Sequence, residues 1–322
     1  DLFPQKEVHD GAARLARYGH FRIVTLHFCT YIDHRYLARA LALHRSLKSV
    51  CPPFQLWALC MDAISYDLLS TSAPPEIRPI ALGALEKHHP ELLVAKKSRS
   101  TIEYYFTCSP FLPHYILSTA PEVDMLTYLD ADLFFYSDPA PLFEEMGNGS
   151  IAIIGHRFPP HLKELETYGV YNVGWLSFRR DERAMGCLRW WGARCLEWCH
   201  DRPEEGRFAD QKYLDDWPRR FDGVVVLQNK GANVAPWNLG GSKLHTDGAG
   251  LQVNGNPTLF FHFHGLKQLT ARVYDPQLRR YHLNLRNRPL RALYSRYVRA
   301  LQEASRLIPS AADGRTFRQE PG

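Results

Sequence analysis

The 322 residues contain no apolar run that approaches the length of a membrane span, so the chain does not read as bilayer-crossing. The opening residues lack the basic-then-apolar pattern of a secretory signal. Because the chain starts at Asp1 rather than Met, a targeting segment lost from in front of it stays open. Cysteine is sparse and its count, seven, is odd. Most of the cysteines lie within apolar or aromatic stretches, which reads as reduced, buried thiols in a cytosolic protein rather than a disulfide framework. Cys195 and Cys199, followed by His200, sit one helical turn apart and invite a zinc reading. No second pair stands at finger spacing, and ordinary helix packing accounts for them as well. Internal repeats, low-complexity tracts and Pro/Gly linkers are missing too, so nothing marks a split of the chain. Charge of one sign does not dominate: 39 Lys and Arg against 34 Asp and Glu leave a net +5. That suits an anionic small substrate or an anionic surface and is too diffuse for nucleic acid.

What is present is an ordinary globular composition, 45% hydrophobic and 23% charged, with 12% aromatic residues. The length allows one large or two small domains. Residues 1–20 read as a polar lead-in, and 21–28 as a buried strand. A helix over 36–47 places Leu37, Leu41 and Leu47 near one face. Strands are expected at 54–59, 77–82, 123–129 and 150–154, with short helices between them; Pro79 limits the second of these to a sheet edge. This alternation implies a mostly parallel sheet covered on both faces, with ligands bound outside the carboxyl ends of its strands. The second half is less regular: a helix at 190–200, strands at 223–227 and 259–263, and a basic amphipathic helix at 289–308. The glycine-rich stretch 240–255 reads as turns and a mobile flap. In the last helix Arg291, Arg296, Arg299 and Arg306 accompany Leu290, Leu293, Val298 and Leu301. Its apolar stripe either packs on the body or meets an anionic bilayer.

The sharpest feature is YLDADLFFY at 128–136, where Asp130 and Asp132 interrupt an apolar strand. A buried carboxylate is costly unless a cation or several hydrogen bonds meet it. Residues two apart on a strand face one side, so both side chains can converge on a hard cation. They read equally as turn or cap aspartates. Downstream, HFHGLK at 262–267 ends a strand in imidazoles and then offers a lysine, giving a nitrogen ligand and a phosphate-binding ammonium. A strand histidine is also a common hydrogen-bonded core residue. Between these lie Asn172 and Gly174, the triplet Asp210-Gln211-Lys212, and Trp237-Asn238, amides and carboxylates beside aromatics of the kind that read sugar hydroxyls. Asn172 and Asn238 read equally as turn residues, and Asp210 as a helix cap.

In this order the pieces resemble the nucleotide-sugar glycosyltransferases of the GT-A fold, most closely glycosyltransferase family 8. That family follows a D-x-D with an N-[AS]-G segment, a D-Q-D, a W-N and a final H-x-x-G-x-x-K-P-W. Here the run is Asp130-Ala-Asp132, Asn172-Val-Gly174, Asp210-Gln211-Lys212, Trp237-Asn238 and His262 to Lys267, within residues 21–270. The resemblance implies an α/β, Rossmann-like GT-A fold with a mixed, mostly parallel central sheet flanked by helices. A single domain over 21–285 would be followed by the basic helix and tail of 286–322. It implies that Asp130, Asp132 and His262 bind Mn²⁺ or Mg²⁺, that Lys267 meets the donor phosphates, and that Asn172 and Asp210 meet the donor sugar. Gln211 would lie near the anomeric carbon, and the turn Cys29-Thr30-Tyr31 would approach the base. Departures exist: Lys212 replaces an acid, the interval from Gly265 to Lys267 is one residue short, and no Pro-Trp follows. The arginine expected before the D-x-D is missing from 103–107, and Arg99 or Lys97 would substitute. These departures leave the donor sugar open.

The implied activity is transfer of a sugar from a nucleotide-diphosphate sugar, UDP-sugar first, to a glycan or glycolipid hydroxyl with retention of anomeric configuration. By family analogy the setting would be bacterial surface polysaccharide or lipid-linked glycan synthesis. The enzyme would be cytoplasmic, with peripheral contact to an anionic membrane as an added expectation. Two rivals stand beside it. A haloacid-dehalogenase-type phosphohydrolase also uses D-x-D with Mg²⁺, though normally on its first strand. A binding protein that kept the fold without turnover is the other.

Overall fold

A computed structural model describes residues 25–51, 53–247 and 250–308. The expected lead-in, the first residues of the strand expected from residue 21, and the end of the tail lie outside the described residues. The first half runs β1 (Leu26–Ile32), α1 (Leu37–Val50), β2 (Phe54–Cys60), α2 (Ala63–Ser72), β3 (Ile77–Ala81) and then α3 (Leu82–His88), α4 (Leu92–Ser98), α5 (Thr101–Cys108) and α6 (Phe111–Thr119). After these come β4 (Met125–Leu129), β5 (Leu133–Phe135), α7 (Ala140–Met146), β6 (Ile151–Gly155), β7 (Tyr171–Arg179), α8 (Glu182–Glu197), α9 (Trp217–Arg220) and β8 (Val224–Leu227). The last part holds β9 (Leu244–Asp247), β10 (Gly250–Val253), β11 (Asn256–Pro257), β12 (Phe260–His262), β13 (Lys267–Gln268), β14 (Tyr274–Asp275) and α10 (Arg288–Ser305).

Seven strands form the central sheet in the order β3-β2-β1-β4-β7-β6-β8. All neighbours pair parallel except where β7 runs antiparallel to β4 and β6. β3, which carries Pro79, is an edge strand as expected, because proline has no N–H for a second ladder. Strand alternation divides the core. Leu26, Phe28 and Ile32 pack with α1 on one face, while Cys29 joins Tyr128, Leu112 and Trp191 on the other.

Caps mark several helix starts. The Asp62 side chain accepts from Ser65 N at 2.8 Å, and Asp181 accepts from Ala184 N at 2.9 Å. Ser100 and Glu103 make a reciprocal capping box at the start of α5. The Asp181 cap moves the start of the helix expected at 190 back to Glu182, and extended backbone at Trp198 ends it. Cys195 and Cys199 are fully buried in the core beside α6, so packing explains them. His200 spends its ring on Glu103 and Arg99, at 2.8 and 2.7 Å.

Two regions differ from expectation. The glycine-rich stretch is a three-stranded antiparallel meander, β9-β10-β11, whose Leu251 and Val253 are buried in a core cluster. Alternating apolar residues outweigh the glycines there. The C-terminal helix is capped by Asn287 and buries Leu290, Leu293, Tyr294, Tyr297, Leu301 and Ala304. Tyr297 stacks on Phe263 with ring centres 3.8 Å apart. Its apolar stripe is therefore spent on the body, and Arg291, Arg296, Arg299 and Arg306 face outward. Among the described residues, no helix is long and apolar enough to cross a membrane.

Candidate active site

The apolar strand β4 ends at Asp130, whose N–H still donates to Gly174 O of β7 at 3.2 Å. The chain then turns, Leu133 N returning to Asp130 O at 3.2 Å, and re-enters as β5. β5 pairs antiparallel with β12, setting His262 opposite Leu133. One further backbone bond, Phe263 N to Asp132 O at 3.0 Å, closes the junction. Three side chains far apart in sequence thereby meet. His262 Nε2 lies 3.0 Å from Asp132 Oδ1 and 3.6 Å from Asp130 Oδ2. The three donor atoms all fall within 4.8 Å of one another.

The electrostatics of this corner call for a cation. Burial, together with the neighbouring charge of Asp132, pushes the Asp130 carboxyl up to about 6. Tyr128 supports its charge by donating to Oδ1 at 2.9 Å. Burial also opposes the charge of Asp132, but His262 draws that carboxyl down to about 2. Burial works against an imidazolium at His262, yet the two carboxylates hold its pKa above the ordinary value. The Nδ1 of His262 is buried without a hydrogen-bond partner. Two carboxylates and one imidazole are a fitting donor set for Mn²⁺ or Mg²⁺, with room for a ligand's oxygens on the open side.

His262 is held rather than free. The Trp237 ring packs edge-on against it at 5.0 Å, and against His156 at 5.1 Å. Asn238 fixes this turn by donating to His156 O and Asn233 O, at 2.9 and 2.8 Å. Trp237 thus lines the site and Asn238 braces it. Burial pushes His156 down to about 3, so it is a neutral ring.

A cavity of about 700 Å³ opens from this corner, and Asp130, Asp132, Asn172, Asp210, Gln211 and His262 all line it. Gln211 is oriented at both ends of its amide. Oε1 accepts from Asn172 Nδ2 at 3.2 Å and Val173 N at 3.3 Å, while Nε2 donates to Tyr168 O at 2.9 Å. Asp210 is 4% exposed, and burial pushes its carboxyl up to about 7. Lys212, standing where the resemblance has an acid, pairs with Asp215 at 2.9 Å and donates to Glu166 O at 2.6 Å.

Three expected donor-binding residues are not brought here. Thr30 is fully buried, away from the cavity, because strand alternation presents Tyr31 instead. Arg99 turns its guanidinium to His200 and to Leu196 O, tying α4 to the end of α8. Lys267 is exposed on the β13-β14 ribbon and does not line the cavity; Gly265, at φ +74°, turns the chain outward before it. The basic residues that do line it are Arg35, Arg202 and Arg280. Arg35 is clamped on Asp33 Oδ2 at 2.9 and 2.7 Å, and Arg280 lies over the Tyr168 ring at 5.4 Å. The sequence signals for these were slight: a His-Arg pair opening the first helix, and Arg279-Arg280 in a short helical turn.

No protein-family profile matches the chain. The uncharacterized protein YfnF of Bacillus subtilis (strain 168) is 34% identical over 255 residues, 76% of this chain and 82% of YfnF. YfnD of the same organism, also uncharacterized, is 29% identical over 297 residues, covering 90% of this chain and 94% of YfnD. Among solved structures, the galactosyltransferase LgtC, crystallised with donor and acceptor sugar analogs, superposes with a TM-score of 0.52 at 14% identity. The match covers 80% of this chain and 94% of that one. At that identity the likeness speaks for the fold, and the fold is that of the GT-A glycosyltransferases, as the order of motifs implied.

Proposed function

The chain belongs to the same family as YfnF, and from that premise we propose that it is a metal-dependent glycosyltransferase. Its donor would be a nucleotide-diphosphate sugar, UDP-sugar first, and its acceptor a glycan or glycolipid hydroxyl. The observation that carries the reading is the convergence of Asp130, Asp132 and His262 at one end of an aromatic-walled cavity. That is a cation site beside a space for a base and a sugar. The solved galactosyltransferase of the same fold was crystallised with donor and acceptor sugar analogs.

Asp130, Asp132 and His262 would hold Mn²⁺ or Mg²⁺, which when bound supplies Lewis-acid stabilisation to a leaving diphosphate. Arg280 offers the positive charge that Lys267, by its position, does not. Asn172 and Asp210 would hold hydroxyls of the donor sugar, the protonated Asp210 carboxyl acting as a donor of hydrogen bonds. Gln211, with its amide fixed at both ends, would present its carboxamide near the anomeric carbon without reorganising during the reaction. For transfer with retention, the acceptor oxygen attacks the anomeric carbon on the face from which the diphosphate departs. The carbon–oxygen bond to diphosphate breaks, and the hydroxyl proton passes to the departing phosphate oxygen. The outward arginines of α10 suit peripheral contact with an anionic membrane that carries a lipid-linked acceptor.

The phosphohydrolase reading is set aside by the fold, since the aspartates follow the fourth strand of a GT-A sheet rather than the first. The test is donor hydrolysis across a panel of nucleotide sugars, with Mn²⁺ and with chelator, in the wild type and Asp132→Ala. Hydrolysis that requires the ion and vanishes in the variant, which still melts cooperatively in chelator, is the expected result. Turnover indifferent to Asp132 overturns the metal role. Thermal stabilisation by a nucleotide sugar without any turnover supports the binding-protein reading instead.

A further inference from the structure

Outside the aspartate-lined cavity, His88 and His89 at the end of α3 and His114 in α6 bring their rings together. Ring centres of His88 and His89 are 4.7 Å apart, and those of His89 and His114 are 5.1 Å apart. One ligand nitrogen from each lies within 4.8 Å of the others. None of the three lines the cavity. We propose that they form a second metal site, for a borderline transition-metal cation such as Zn²⁺, that staples α3 to α6.

Aromatic packing accounts for part of the arrangement: His89 meets Phe111 edge-on at 4.9 Å, and His88 meets Tyr115 at 5.2 Å. It does not account for the nitrogens. His89 Nε2 and His114 Nδ1 are both buried without a hydrogen-bond partner, and a buried polar atom left unpaired is costly. Glu91 Oε1 lies 3.3 Å from His89 Nδ1. A carboxylate there accepts a hydrogen bond from Nδ1–H, fixes the tautomer and leaves the Nε2 lone pair bare, the support that zinc-ligating imidazoles usually receive. The His89 side chain is 9% exposed, so this lone pair is screened from bulk water. Burial disfavours the charged form of both rings, pushing His114 down to about 4 and lowering His89, the direction that favours ligation. Arg189 of α8, within electrostatic reach of His114, is itself paired with Glu182 at 3.3 Å.

The donor set also separates this site from the first. Three imidazoles with no carboxylate suit Zn²⁺, Ni²⁺ or Cu²⁺, whereas Mn²⁺ and Mg²⁺ prefer the oxygens of Asp130 and Asp132. Ligand nitrogens on one ion sit about 2.0–2.1 Å from it, so small ring rotations complete the set, and the exposed His88 is free to make them. A tetrahedral ion would keep a fourth position for water. α6, which carries His114, packs on α5, whose Ile102, Tyr105 and Phe106 form part of the cavity wall. Leu85 of α3 and Phe111 and Leu112 of α6 share that wall's core.

The experiment is Zn²⁺ titration, against a chromophoric chelator, of the full chain carrying Asp130→Asn and Asp132→Asn and no polyhistidine tag. One equivalent of zinc should remain bound in that background. Adding His88→Ala, at an exposed position that leaves the metal-free melting temperature unchanged, should remove it, as should His114→Gln. Glu91→Gln should weaken binding by about tenfold or more. Co²⁺ in place of zinc should give a visible ligand-field band that disappears with His88→Ala. Absence of zinc binding in the Asp-substituted chain, or binding unmoved by His88→Ala and His114→Gln, overturns the proposal.

Discussion

Gly174 stands against the imidazole of His262 so closely that a β-carbon on it would meet the ring's Cε1 and Nδ1 at 3.0 Å and Asn172 Oδ1 at 2.6 Å. The glycine two residues after Asn172 is therefore a requirement of close approach rather than of backbone freedom. It lets the strand β7 lie under the ring that completes the cluster of Asp130, Asp132 and His262. Gly174→Ala should push His262 away from Asp132 and cost about 1–3 kcal/mol through overpacking. A Mn²⁺ titration of donor hydrolysis should show weakened apparent metal affinity in a protein that still melts cooperatively. An unchanged titration would mean that the ring position does not matter to the ion.

The proposed phosphate-binding role falls to Arg280 rather than to Lys267. Arg280 lines the cavity; Lys267 is exposed on the ribbon outside it. Removing a cation that binds the diphosphate equally in ground and transition states raises KM and spares kcat. Arg280→Ala should raise the donor KM by about tenfold, the worth of one charge-assisted contact, while Lys267→Ala should leave it within about twofold. Steady-state kinetics on the two variants checks this, and the reverse pattern would return the phosphate role to Lys267.

Asp210 makes stability depend on pH. Burial raises its carboxyl to about 7 in the folded chain, against about 3.9 when unfolded. Between these values the folded state holds a proton that the unfolded state has released. The contribution of Asp210 to stability thus falls as pH rises from about 4 to 7 and is level outside that window, a loss on the order of 4 kcal/mol. Asp210→Asn should reduce the slope, most of all between about pH 6 and 7, and melt higher than the wild type at pH 8, in chelator throughout. Denaturant unfolding at several pH values tests it, and an identical slope in the variant would place the titration elsewhere.

The alternation of strands and helices was legible because its parts are local, and the GT-A resemblance rested on the order of the motifs. The apolar strand ending in Asp130 and Asp132 and the edge position of β3 arise from residues within a few positions of one another. Periodicity failed where local composition misled. Glycines around 240–255 pointed to a flap, yet long-range pairing and the burial of Leu251 and Val253 made a sheet. The helix expected from 190 begins eight positions earlier in the chain, at Glu182, because the cap at Asp181 outweighs Gly186 within it.

Sequence by itself determined which chemistry this chain carries: two carboxylates on a strand end, an imidazole on another, and Asn172 and the Asp210-Gln211-Lys212 triplet between them. Tertiary structure alone decided which of these meet. The antiparallel pairing of β5 with β12 brings His262 to Asp132, and strand alternation at β1 presents Tyr31 in place of Thr30. The turn at Gly265 carries Lys267 away from the cavity that Arg280 lines. The reason is one of range: side-chain periodicity and capping act over a few residues, whereas convergence at a site depends on register between strands remote in sequence.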